Sequence, residues 1–197
     1  MPRHIALFGD SSIDNARYTG REPDVANHLR RIVGAGDEVT LLAVDGSTTL
    51  DLGPQLDGCP SDATHLVVSI GGNDALLCAG LLDTPVRSTG EALDLFGAAT
   101  DEFAINHRRA LEALSGLGRE LVVCTIYDGN LAPHEARRAR VALMMWNDVI
   151  VRSARRVNAR VIDLREICNE PSDFANPIEP SGSGGRKIAE AIAEACR

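Results

Sequence analysis

The segment Ile5-Ala-Leu-Phe-Gly-Asp-Ser11 joins an uninterrupted apolar run to a Gly-Asp-Ser turn. An apolar run without polar alternation is typical of a strand that is covered on both faces of a parallel sheet. A serine placed just past the end of such a strand is exposed where a substrate can reach it. The signal is weak by itself, because Gly-Asp-Ser also forms ordinary turns.

Four more apolar runs of the same kind follow, and segments with helical periodicity separate them. Apolar residues recur at three/four spacing over Phe96–Leu117 and over Ala139–Ile150, and we expect a last helix to begin after Ser181. Strand–helix alternation five times over predicts an α/β fold, namely a three-layer α/β/α sandwich with a five-stranded parallel sheet. We expect residues 1–197 to form a single domain. The four further strand-like runs are Val39–Val44, Leu66–Ile70, Leu121–Ile126 and Val161–Leu164.

Composition excludes some partners. The chain has 197 residues, 44% of them hydrophobic, and a formal net charge of -8. Nucleic acid rewards a clustered positive face, so we expect no nucleic-acid partner. The one short basic run, Arg137–Arg140, is expected on a solvated helix face. No stretch reaches the roughly 20 apolar residues of a membrane span, so no span is expected.

The five cysteines are odd in number and have no CxxC spacing. Met1-Pro-Arg-His4 leads directly into the first strand, without an apolar signal region. These two features favour a reduced, cytoplasmic compartment. Within the fourth strand-like run, Cys124 is expected to be a small buried residue rather than a nucleophile.

The loops after the first three strands carry the unusual residues. Val44-Asp-Gly-Ser47 places Gly46 after the second strand, where backbone N–H groups can approach a ligand closely. Ile70-Gly-Gly-Asn-Asp74 places the amide of Asn73 after the third. Because sites of parallel sheets form at the carboxyl ends of the strands, we expect Ser11, Gly46 and Asn73 to lie together.

Together these segments resemble the SGNH (GDSL) serine hydrolases over nearly the whole chain. That family combines Gly-Asp-Ser, a Gly, Gly-x-Asn-Asp and Asp-x-x-His on a flavodoxin-like α/β fold. The resemblance implies that Ser11 is the nucleophile and that Gly46, Asn73 and the amide of Ser11 form the oxyanion hole. It implies an esterase that acts on small acyl esters and needs no cofactor or metal.

The fourth block departs from the family, because Asn176-Pro-Ile-Glu179 stands where Asp-x-x-His is expected. One hypothesis makes Glu179 the base and Asn176 the residue that orients it. An unperturbed Glu has a pKa of about 4.3, so burial and the neighbouring Asp10 would have to raise it. Under the opposite hypothesis Glu179 is a solvated loop residue. The chain is then a catalytically inactive module that binds an acyl or glycan ligand.

Several other residues have possible supporting roles. Asp74 is expected to cap the next helix or to hold the Asn73 loop, and Asp14 and Asn15 to do similar work behind Ser11. Glu179 could also activate water directly, without an acyl-enzyme. His134, after the fourth strand, is a weaker alternative base, whereas His107 is expected to be a satisfied core residue. Trp146 and its neighbours Met144 and Met145 are expected in the core. No oligomeric state follows from these patterns.

Overall fold

The computed structural model describes residues 2–197 and contains five parallel strands in the order β2-β1-β3-β4-β5. All four neighbouring pairs of strands are parallel, as the apolar runs predict. The α/β class and the five-stranded parallel sheet are therefore confirmed. The strands are β1 (His4–Gly9), β2 (Glu38–Leu41), β3 (His65–Ser69), β4 (Glu120–Cys124) and β5 (Arg160–Ile162).

Helices cover both faces of the sheet. The longest helices are the two that the three/four spacing predicts, and the last helix begins directly after its N-cap Ser181, whose hydroxyl accepts the amide of Gly184. The helices are α1 (Val25–Ile32), α2 (Leu52–Asp57), α3 (Gly72–Leu77), α4 (Thr89–Ser115), α5 (Pro133–Arg156), α6 (Leu164–Ile167) and α7 (Gly182–Ala195).

Alternation along β1 divides the interior into two cores. Ile5 and Leu7 point to the core beneath α1 and α7, while Ala6 and Phe8 point to the core beneath α2, α4 and α5. All four side chains are fully buried. Successive residues of a strand face opposite sides of a sheet, so a continuous apolar run requires a helical layer on each side. The result is the expected three-layer sandwich.

Some expected boundaries are wrong by a few residues. The second strand ends at Leu41 rather than Val44, because the amides of Leu42 and Ala43 both donate to the carbonyl of Leu7 and break the regular ladder. Leu117 lies beyond the end of α4, where Gly116 is the C-cap, and is exposed.

The two long irregular stretches each contain a 3₁₀ turn. These turns are Ala79–Asp83 within Leu77–Thr89 and Pro171–Asp173 within Cys168–Ser181. In residues 2–197 no helix has the length and apolar character of a membrane-spanning helix. Cys124 is buried, and burial raises the pKa of its thiol well above the usual range.

Two expectations about core residues need correction. His107 is buried as expected, but it is not satisfied, because neither ring nitrogen has a hydrogen-bond partner within residues 2–197. Burial lowers the pKa of this imidazole to about 4. Trp146 is in the core, and Met145 packs against this core. Met144 points to solvent, because it lies on the outer side of α5.

Candidate active site

The carboxyl-terminal edge of the sheet opens into a cavity of about 150 Å³. Ser11, after β1, lines it together with Asn73, in the first turn of α3, and Glu179, just before α7. Parallel strands deliver their following loops to one edge, which is why residues far apart in the chain meet here. The supporting residue Asp10 lines the cavity as well, so the structure brings together four of the predicted site residues.

The Ser11 loop is held by its neighbours on β3. Gly9 has φ +128°, and a Cβ at this position would overlap the carbonyl oxygen of Ser69. The amide of Asp10 donates to that same oxygen at 3.1 Å. Glycine is therefore required immediately before the Asp10–Ser11 turn, because only glycine tolerates both this backbone conformation and this close approach.

Asp10 is a buried structural carboxylate. Its Oδ1 accepts the amide of Ser12 at 3.0 Å and lies 2.6 Å from the Ser12 hydroxyl. Burial raises the pKa of Asp10 to about 6, Ser12 opposes the shift, and the negative charges of Glu179 and Asp74 add to it. Asp10 therefore braces the turn that carries Ser11 and places negative charge behind it.

Asn73 and Asp74 connect the α3 turn to the loop after β2. The side-chain amide of Asn73 donates to the carbonyl of Ser47 at 2.9 Å. The carboxylate of Asp74 accepts the hydroxyl of Thr49 at 2.6 Å and its amide at 3.0 Å. Burial raises the pKa of Asp74, and the bonds from Thr49 oppose this. Asp74 thus holds the Asn73 turn in place.

Gly46 sits in that same loop with φ +85° and is exposed. It does not line the cavity itself, although its neighbour Ser47 is the acceptor for Asn73. Of the expected oxyanion donors, Ser11 and Asn73 therefore lie in the cavity wall, and Gly46 lies in the adjoining loop.

Glu179 is only 8% exposed, although it lies in a loop. Its Oε2 is buried and has no hydrogen-bond partner in the described part of the chain. Burial raises the pKa of this carboxyl, the neighbouring Ser11 hydroxyl lowers it, and the charge of Asp45 raises it further. The side chains of Ser11 and Glu179 face each other, but no hydrogen bond of standard geometry joins them. A buried acceptor left unpaired in this way is available to take a proton or to meet a ligand.

Asn176 fixes the backbone of the turn that carries Glu179. Its Oδ1 accepts the amides of Ile178 and Glu179, each at 2.9 Å. The turn is closed by a bond from the amide of Ala175 to the carbonyl of Glu179 at 2.8 Å. Asn176 therefore acts on Glu179 through the main chain rather than through a contact with its carboxylate.

Asn15 links the Ser11 loop to the Glu179 turn. It is fully buried, donates to the carbonyl of Pro180 at 3.1 Å, and accepts the amide of Val25 at 3.0 Å. Its neighbour Asp14 accepts the amide of Asp45 at 3.0 Å. Their position behind Ser11 is as expected, but the tie from Asn15 to Pro180 spans 165 residues and has no local signal in the sequence.

The loop after β4 adds residues that the sequence analysis missed. The Tyr127 hydroxyl donates to the carbonyl of Ile178 at 2.7 Å, and the amide of Asn130 donates to that of Pro177 at 2.8 Å. Between them Asp128 lines the cavity, half-buried. The signal that could have identified Asp128 is its place just past the fourth strand, at the same edge of the sheet as Ser11.

The rest of the cavity wall is apolar. Leu76 and Leu82 come from the end of α3 and the following 3₁₀ turn, Phe96 from α4, and Ala142 and Trp146 from α5. The irregular stretch between α3 and α4 thus forms part of the cavity wall. One end of the cavity is therefore polar, at Ser11, and the other end suits hydrocarbon.

The remaining histidines lie away from the cavity. The His134 side chain is 77% exposed, near Glu135. His4 lies at the opposite edge of the sheet, where its ligand atoms and those of Glu38 and Asp62 are within 4.8 Å of one another. Both ring nitrogens of His4 are already bonded, to Asp62 at 3.0 Å and to Thr40 at 2.8 Å, so ordinary surface hydrogen bonding accounts for this group.

Comparisons with known proteins agree with this fold. A sequence model described as the GDSL-like lipase/acylhydrolase family matches residues 7–186. No curated protein sequence matches the chain.

Solved structures with a similar fold include three esterases and lipases. An extracellular lipase from Streptomyces rimosus has a TM-score of 0.73 at 16% identity, covering 99% of this chain and 100% of that one. A phospholipase A1 from Streptomyces albidoflavus NA297 has 0.74 at 14%, with 98% and 99% covered. The acetyl xylan esterase AlAXEase has 0.71 at 16%, with 98% and 100% covered. At these identities the likeness concerns the fold.

Proposed function

The chain belongs to the GDSL-like lipase/acylhydrolase family, and on this premise we propose that it hydrolyses carboxylic esters with Ser11 as nucleophile and Glu179 as base. One observation carries the proposal: a buried carboxylate with an unpaired oxygen faces the Ser11 hydroxyl at the polar end of an apolar cavity. A neutral serine is a weak nucleophile and needs an adjacent base, which Glu179 supplies here.

The proposed reaction runs in two halves. Ser11 Oγ attacks the ester carbonyl while Glu179 accepts the hydroxyl proton, and the alcohol then leaves with that proton. Water attacks the acyl-enzyme, again giving its proton to Glu179, and the acid is released as Ser11 Oγ recovers a proton. The amide of Ser11 and the side chain of Asn73 donate to the oxyanion, with Gly46 as the third donor. Asn73 has two N–H groups, so its bond to Ser47 leaves one for the substrate.

The raised pKa of Glu179 makes it a better base than an ordinary glutamate. General bases work best when their pKa lies near the working pH. Burial shifts Glu179 in that direction, with the charge of Asp45 assisting and the Ser11 hydroxyl opposing. Because only the ionised carboxylate accepts a proton, the rate falls as the pH drops through this raised pKa.

The cavity supports an apolar acyl group of modest size. An apolar cavity of about 150 Å³ holds one benzene ring in a well-studied protein, and the volume beside Ser11 is similar. Short to medium acyl chains therefore fit between the end of α3 and α5. The size of the cavity thus favours small acyl esters as substrates.

The test is hydrolysis of p-nitrophenyl butyrate across pH by the unmodified protein, Ser11→Ala and Glu179→Gln. We expect Ser11→Ala to fall to background and Glu179→Gln to lose about 10²–10³-fold in kcat together with the acidic limb. Asn176→Ala should be weakened less, because it acts through the main chain. The exposed Glu135→Gln is the control and should retain full activity. Equal rates for Ser11→Ala and the unmodified protein would remove the mechanism.

A second function is favoured by the lack of a standard hydrogen bond between Ser11 and Glu179. In it the protein is a catalytically inactive module that binds an acyl or glycan ligand in the same cavity. Thermal stabilisation by butyrate, without turnover of any ester, would support this function. Turnover without labelling of Ser11 by a fluorophosphonate probe would instead indicate that Glu179 activates water directly.

A further inference from the structure

The polar end of the cavity is acidic. Asp10, Asp128 and Glu179 line it, and no Lys, Arg or His from residues 2–197 does so. Asp10 is engaged with Ser12 and is buried behind the Ser11 turn. Asp128 and Glu179 are different, because neither carboxylate accepts a hydrogen bond of standard geometry within the described chain. The cavity lining therefore presents carboxylates, and no basic side chain of residues 2–197, to whatever enters it.

Asp128 and Glu179 are held on one wall. The loop after β4 is bonded to the Glu179 turn twice, from Tyr127 to Ile178 at 2.7 Å and from Asn130 to Pro177 at 2.8 Å. Asp128 lies between these two bonds in the sequence, and Glu179 directly follows one of them. The loop that carries Asp128 and the turn that carries Glu179 are thus tied to each other.

Two arginines on neighbouring loops are bonded to other carboxylates. Arg165 is close enough to feel the charge of Asp128, but its guanidinium is bonded to Asp163. Arg17 is exposed and bonds Asp45 at 3.2 Å. Glu179 is 8% exposed, and its buried Oε2 has no partner in residues 2–197. Half-buried carboxylates that lack a counter-charge attract cations and repel anions more strongly than carboxylates in open water do.

We propose that the alcohol half of the substrate carries a positive charge, which Asp128 holds while Glu179 acts as the base and the apolar acyl chain lies between α3 and α5. The inference rests on the proposed function, since it assigns the two ends of the cavity to the two halves of an ester. The acyl C–O bond breaks, and the alcohol leaves with a neutral hydroxyl group and with its positive charge unchanged. Water supplies the new oxygen atom of the acid. Phosphate or carboxylate in the alcohol half would be repelled by the same wall.

The test compares butyrylcholine with 3,3-dimethylbutyl butyrate, which has the same acyl group and nearly the same shape but no charge. We expect the unmodified protein to prefer the choline ester by about tenfold in kcat/KM, and Asp128→Asn to remove most of that preference. Asp57→Asn makes the same charge change at an exposed position at the end of α2, outside the cavity lining, and should keep the preference. Preference for the neutral ester, or an equal preference in Asp128→Asn, would overturn the inference.

Measuring the binding of the two esters distinguishes this inference from the proposed function. The chain has one tryptophan, Trp146, and it lines the cavity, so its fluorescence reports occupancy. In Ser11→Ala we expect butyrylcholine to bind about tenfold more tightly than the neutral ester. If neither ester is hydrolysed by the unmodified protein but this binding preference is present, the proposed function fails and the cation site stands. If Ser11→Ala binds neither ester, or binds both equally, the cation site fails.

Discussion

The layer that contains α1 and α7 packs closely at two glycines of α7, whereas the layer that contains α4 and α5 leaves a cavity. In the first layer, a Cβ at Gly184 would overlap the carbonyl oxygen of Asp173, and one at Gly185 would lie 3.1 Å from the side chain of Asn15. In the second layer, a Cβ at Gly97 of α4 would meet nothing within 4 Å. Glycine is thus required at Gly184 and dispensable at Gly97.

The two layers therefore differ in what they do: one positions Glu179, and the other leaves room for a ligand. Glu179 lies just before α7, so the close packing of α7 fixes Glu179, the proposed base, relative to Ser11. Substrate room lies on the other side, where the walls come from α3, α4 and α5. A cavity in the closely packed layer would loosen the placement of Glu179 beside Ser11, and a filled layer under α5 would close the cavity in which the proposed substrate binds. The predictions below test each half of this division.

The largest effect is expected for Gly184→Ala. The added methyl group must displace the Asp173 backbone, so we expect a loss of about 3 kcal/mol or more in the free energy of unfolding. Gly97→Ala is the matched control, since it also replaces a helical glycine. It should be neutral or stabilising by up to about 1 kcal/mol. Urea unfolding measures both, and equal losses would contradict the difference between the layers.

Asp10→Asn should stabilise the protein at neutral and higher pH. The folded-state pKa of Asp10 is raised by burial to about 6 from an ordinary value of 3.8. The folded state therefore holds the proton more tightly, and stability is lost as the pH rises from about 4 to 6. Asparagine keeps an acceptor for Ser12 without the buried charge.

We expect the Asp10→Asn gain to approach about 3 kcal/mol at pH 8 and to vanish near pH 3. Urea unfolding of both proteins at the two pH values measures it. Asp57→Asn, at an exposed carboxylate, should show no such pH-dependent difference. A gain that is the same at both pH values would show that ionisation of Asp10 is not its cause.

Asn15→Ala should loosen the link between the Ser11 loop and the Glu179 turn. Its bonds to Pro180 and Val25 are buried, so their loss leaves both backbone groups unpaired. We expect kcat to fall by about 10- to 100-fold with little change in KM, because the acyl wall is untouched. Steady-state kinetics with p-nitrophenyl butyrate provides the measurement. Asn27→Ala, on the exposed side of α1, should leave both constants unchanged.

The smallest effect is expected on the open side, for Ala142→Leu. The larger side chain occupies cavity space, so the kcat/KM ratio of octanoate to acetate p-nitrophenyl esters should fall by about tenfold. Stability should change by less than about 1 kcal/mol, since the methyl groups enter an existing cavity. Val141→Leu, on the exposed side of the same helix, should leave the ratio as it was. An unchanged ratio in Ala142→Leu would move the acyl chain away from α5.

The sequence was sufficient for the sheet because each strand is a short apolar run with helices on both sides. The start of α7 could be predicted equally well, because Ser181 is an N-cap residue followed by an apolar helical pattern. A contact between distant loops could not be predicted in this way, because the tie from Asn15 to Pro180 has no local pattern in the sequence. The unpaired His107 was also missed, since periodicity places a residue inside without showing its partners.

The tie between the first strand and the last helix has a consequence for protein synthesis. The Arg3 guanidinium donates to the carbonyl of Cys196 at 3.0 Å, and α7 packs against α1. Because α7 leaves the ribosome after every other helix and strand described here, α1 stays uncovered and Glu179 stays unplaced until then. Ser11 and Glu179 can thus come together only after α7 has been synthesised.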